Sequence, residues 1–154
     1  MESFGSQPLP PWRRAVLKVG SSLLSGPDGR LSEEHARGLA AFVAHSRRQG
    51  REVVIVSSGA VAAGRGLLSA DGGGLTLRQA LAALGQAPMI AQWQRLIPQP
   101  VAQVLLSHDD LRNRRRYLNA RATLRELLRL GTVPVVNEND TVAVDELKLG
   151  DNDN

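Results

Sequence analysis

The 154 residues carry 19 Lys and Arg against 15 Asp and Glu, a net charge of +4, and no cysteine. The missing thiols exclude disulfides and thiolate-held metals, and 42% apolar with 22% charged residues is a globular balance that excludes a disordered chain. No apolar run approaches the roughly 20 residues of a membrane span, and five aromatics are too few for a base-stacking surface.

Residues 1–14 hold three prolines and no hydrophobic stretch, and read as a flexible leader, not a signal peptide. Residues 15–19 form an apolar strand that contains Lys18. Ser32 then caps a helix with Glu33 and Glu34 in its first turn, ending at Gln49 and Gly50. Residues 52–57, rich in Val and Ile, are the second strand. A short helix leaves it at Gly59 and reaches about Leu68, and residues 69–74 are a glycine loop. Thr76 to Gln79 matches a capping box and predicts a helix toward Ile97, bent at Gly85 or Pro88. Residues 101–107 are the third strand. Residues 111–130 are a long helix that Gly131 ends, and residues 133–136 are the fourth strand. For residues 142–149, periodicity does not separate a β excursion from a loop.

Strands joined by helical crossovers imply an α/β fold, a mostly parallel sheet covered on both faces. Ligands on such sheets bind beyond the carboxyl ends of the strands. Four polar clusters fall there: Gly20, Ser21 and Ser22; Ser57, Ser58, Gly59 and Ala60; Ser107 to Asp110; and Asn137 to Asp140. Lysine inside an apolar strand is costly unless it meets an anion, so Lys18 is read as a phosphate ligand. Glycine and serine at neighbouring strand ends offer backbone N–H groups to an anion. The amides and carboxylates of Asn137, Asn139 and Asp140 suit the ammonium and carboxylate of an amino acid.

No P-loop is present, and the G-x-G-x-x segment from Gly64 follows a helix where a dinucleotide motif needs a strand. His108, Asp109 and Asp110 read as helix capping, not a metal site. The Asp151-x-Asp153 spacing lacks the glycine and distal glutamate of a calcium loop. The basic run from Arg112 to Arg116 reads as a solvated helix face or a subunit contact.

The segments VLKVGSSLL (16–24), VVIVSSGAVAAG (53–64), YLNARA (117–122), VPVVNENDTV (133–142) and KLGDNDN (148–154) closely resemble the glutamate 5-kinase (γ-glutamyl kinase) branch of the amino acid kinase family. The likeness runs from residue 15 to residue 154. It implies a three-layer α/β/α sandwich, incomplete at the C-terminus, in which residues 15–154 are the N-terminal, glutamate-binding half of a kinase domain. It implies transfer of phosphate from ATP, with Mg²⁺, to the γ-carboxylate of L-glutamate, the first step of proline biosynthesis, in a cytoplasmic homo-oligomer inhibited by proline. Carried over, Lys18 with Gly20 and Ser21 would meet the ATP phosphates. Ser58, Gly59, Asn137, Asp140, Asp151 and Asn152 would bind glutamate, and Asp153 would orient the catalytic lysine.

The family continues beyond this point into its nucleotide half, so the chain alone is expected to bind ATP poorly and turn over little. The rival readings are another amino acid kinase, a non-catalytic glutamate- or proline-binding subunit, and a basic nucleic-acid binder. The paired NEND and GDNDN motifs argue against the first.

Overall fold

A computed structural model describes residues 8, 10–69 and 72–139. Four strands, β1 (Arg14–Val19), β2 (Glu52–Ser57), β3 (Val101–Leu106) and β4 (Val133–Glu138), form one sheet. Its order is β1-β2-β4-β3 and every pairing is parallel. The mostly parallel sheet expected from strand–helix alternation is therefore present, and among the described strands it is parallel throughout. The last described strand is inserted between the second and third.

Alternation along each strand gives the sheet two faces. On one, Val19, Val53, Ile55, Val133 and Val135 form a core with Ala36, Ala40 and Val43 of α2 (Glu34–Arg48), Ala60 and Ala63 of α3 (Ala60–Leu67), and Ala82, Met89 and Trp93 of α4 (Leu75–Leu96). A single helical turn, α1 (Ser21–Leu24), adds Leu24 to that core. On the other face α5 (His108–Arg112) and α6 (Arg114–Arg129) place Leu111, Leu124 and Leu128 beside Val54 and Leu106. Helices thus lie on both faces, as the sandwich requires.

The helix ends differ from expectation in three places. Helix α2 begins at Glu34, although the Ser32 hydroxyl still accepts the Glu34 N–H at 3.3 Å. Helix α4 begins at Leu75 with Gly74 at its N-cap, so Thr76 is already inside the helix, and Pro88 lies within a single 22-residue element. The expected helix over 111–130 is two helices. The Asn113 side chain accepts the N–H groups of Arg115 and Arg116 at 3.1 Å each and starts α6 afresh. The capping box of the molecule lies at Ser107 and Asp110, where the Ser107 N–H donates to the Asp110 carboxylate at 2.7 Å.

Ahead of β1, Trp12 lies against Phe42, ring centroids 6.2 Å apart, with the Arg51 guanidinium 4.7 Å over its ring. No helix among the described residues is long and apolar enough to cross a membrane.

Candidate active site

The carboxyl ends of β1, β2 and β4 open into a cleft of about 470 Å³. Ser21 enters it from α1, Ser58, Gly59 and Ala60 from the turn between β2 and α3, and Asn137 and Glu138 from the end of β4. Four of the residues singled out from the sequence, Ser21, Ser58, Gly59 and Asn137, are therefore brought to one place. Asp140, Asp151, Asn152 and Asp153 lie outside the described residues.

The turn after β2 is fixed from both sides. The Ser58 N–H donates to the Val19 carbonyl at 3.0 Å, tying the end of β2 to the end of β1. Gly59 sits at φ 121°, and a Cβ there would stand 3.1 Å from Leu24 Cδ1. Only glycine takes that conformation so close to a buried leucine without strain. Beneath the turn the Trp93 indole N–H donates to the Ser57 hydroxyl at 3.3 Å, and that hydroxyl lies 3.2 Å from the Ser58 carbonyl.

Asn137 is 8% exposed. Its side-chain oxygen accepts the Glu138 N–H at 2.9 Å, and its Nδ2 has no partner among the described residues. Glu138 Oε1 is likewise buried and without a partner there. A buried amide donor and a buried carboxylate acceptor without partners, on two residues that line the cleft, are costly unless something beyond the described residues completes them.

Lys18 does not line the cleft, and its expected burial is corrected. Among the described strands the one that holds it lies at the edge of the sheet, and its residues alternate exposed and covered. Lys18 falls in register with Val56, on the face opposite Val19 and Ser57, and is exposed. The long apolar run around it reads as a doubly covered strand, but Val16 on the same face is 66% exposed.

The Ser107 to Asp110 cluster stands apart, with Ser107 and His108 on a second concavity shared with Asn137 and Glu138. The Asp110 carboxyl is held below the usual aspartate range, first by the Ser107 backbone N–H, then by the Ser107 hydroxyl, with the Arg116 guanidinium 2.9 Å away also contributing. That is the signature of a cap, as expected.

Two charged cleft residues were not among the candidate site residues read from the sequence: Arg65 of α3 and Arg78 of α4. Neither lies in a strand-end cluster. What signal they carry is positive charge on an otherwise apolar α3 and in the first turn of α4, where the helix dipole disfavours cations.

The sequence comparison identifies the family in which this sheet-end cleft occurs. The profile of the amino acid kinase family matches residues 13–154, and the chain belongs to that family. Within it, the chain is 72% identical over 154 residues to the glutamate 5-kinase of Xylella fastidiosa (strain M12), covering 98% of this chain and 40% of that protein. It is 70% identical over 142 residues to the glutamate 5-kinases of Xanthomonas campestris pv. campestris (strain 8004) and Xanthomonas oryzae pv. oryzae (strain KACC10331 / KXO85), covering 90% of this chain and 39% of each. The chain thus spans about 40% of the length of the curated relatives it matches.

Proposed function

We propose that this chain forms the glutamate-binding part of a kinase that transfers phosphate from ATP to the γ-carboxylate of L-glutamate, giving L-glutamyl 5-phosphate and ADP for proline biosynthesis. The observation that carries the reading is the cleft. In a chain 72% identical to a glutamate 5-kinase, the Ser58–Gly59 turn and the open Asn137 amide share one concavity at the strand ends.

The chemistry asks little of acid–base groups. A carboxylate is ionised near neutral pH, so no base is required to make it a nucleophile. The protein must hold it in line and spread the charge of the transferring group. In this reading Ser58, Gly59 and Asn137, with Asp140, Asp151 and Asn152, bind glutamate. The Lys18 ammonium, the Gly20 N–H and the Ser21 hydroxyl fit the anionic phosphates of ATP, and Asp153 orients Lys18. No group of three His, Asp or Glu suited to a metal occurs among the described residues. Mg²⁺ would offset the charge of the phosphates it arrives with. The complete enzyme is a cytoplasmic homo-oligomer that proline inhibits.

Titration calorimetry of the purified chain tests the reading. L-Glutamate is expected to bind saturably and in preference to L-aspartate. With ATP and Mg²⁺ added, hydroxylamine trapping is expected to find little acyl phosphate. Failure to bind L-glutamate would overturn the function. Robust turnover by these 154 residues would overturn the assignment of the nucleotide site to a separate half.

A further inference from the structure

We propose that Arg65 and Arg78 form a carboxylate clamp at the far end of the cleft, holding the α-carboxylate of the dicarboxylic amino acid whose other carboxylate reacts. The inference rests on the reading above and adds the residues that select the substrate.

Arg65, half-buried, and Arg78, exposed, both line the cleft, and neither is in an ion pair with a described residue. The one acid among the described lining residues is Glu138, itself left with an open oxygen. The Asn137 Nδ2, on a side chain more than nine-tenths buried, adds another unfilled donor. Among the described residues the lining is therefore rich in donors and short of negative charge. It suits a ligand with more carboxylates than ammonium groups.

The helix crossing sets the ends of this site. A Cβ on Gly85 would meet Ala60 O, and one on Gly64 would meet Leu81 O, so α3 and α4 run antiparallel in close contact. Arg78, three residues before Leu81, accordingly lies beside the C-terminal half of α3. Arg65 follows Ala60 by five positions, about 7.5 Å along the axis at 1.5 Å per residue. The amides that open α3 adjoin the β1 turn and mark the reacting end. The arginines mark the other. A helix N-terminus accepts any carboxylate, whereas a second clamp of planar guanidinium forks demands a second carboxylate.

The test compares L-glutamate with 4-aminobutyrate, which keeps the amine and the reacting carboxylate but lacks the α-carboxylate. Calorimetry on the wild-type chain is expected to show a preference for L-glutamate of roughly tenfold or more. Arg65→Gln and Arg78→Gln should each shrink it, and the double variant should erase it by weakening L-glutamate alone. Arg65→Lys and Arg78→Lys keep the charge but lose the fork, and carry the test if the glutamine variants do not fold. A preference that survives in the variants, or equal weakening of both ligands, overturns the clamp and leaves the kinase reading standing. A wild-type chain that binds L-glutamate and 4-aminobutyrate equally does the same. A wild-type chain that binds neither overturns both.

Discussion

The Trp93 indole N–H and the Ser57 hydroxyl form a two-step relay beneath the Ser58–Gly59 turn, and each residue is only 1% exposed. A donor so deeply buried must be paired. Ser57→Ala would strand the Trp93 N–H and free the Ser58 carbonyl. We expect a loss of about 1–3 kcal/mol in urea unfolding, with L-glutamate affinity falling as well. A Ser57→Ala chain as stable as wild type would show that the indole N–H has another outlet. This relay was half legible: Ser57 lies in a cluster the sequence singles out, but its partner lies 36 positions on, inside a helix, with nothing local to mark it. Lys18 shows the opposite failure. The residues around it have the apolar content of a central strand, and only the sheet order reveals an edge.

At the scale of elements, the cleft depends on how closely α3 and α4 approach. A Cβ on Gly85 would stand 1.6 Å from the Ala60 carbonyl oxygen, which is backbone and cannot rotate away. Gly85→Ala must push the helices apart. We expect a cost of about 3 kcal/mol or more, and loss of ligand binding with it, because both arginines and the Gly59 turn move. Gly38 in α2 is the control. Nothing lies within 4 Å of a Cβ there, and the residue is exposed within the helix. Gly38→Ala should stabilise by roughly 0.5–1 kcal/mol, so thermal melts should shift in opposite directions. The strands were readable because β-branched runs end at glycine and polar clusters. The helix boundaries were less so. Gly74 and Asn113 act as N-caps through backbone geometry and a side-chain acceptor that their surroundings do not announce, while Thr76 supplies a cap pattern just inside the helix, past the true cap. Glycine at position 85 invited a bend, yet its role is close approach.

For the molecule as a whole, the two faces of the sheet are unequally covered among the described residues. The face under α2, α3 and α4 holds the core, whereas on the other α6 lies near β4 and leaves β1 open. Val16 and Val53 make this measurable. Val16→Thr, on the open face, should alter stability by less than about 0.5 kcal/mol. Val53→Thr buries a hydroxyl at a site with no exposure and should cost about 1–3 kcal/mol. Equal effects in urea titrations would mean that β1 is covered in solution. The parallel sheet and the grouping of three polar clusters were legible because alternation of strand and helix dictates both. The arginines were not, since helix packing alone carries them to the site.

The insertion of β4 between β2 and β3 has a consequence in time. Until residues 133–138 arrive, β2 and β3 have no bond to each other, and Asn137 is not yet beside Ser58. Loop closure over such sequence separations is slow and comes late. Residues 133–138 therefore do two things in one event: they join β2 to β3, and they add the Asn137 and Glu138 wall to a cleft whose other described walls come from residues 21–78.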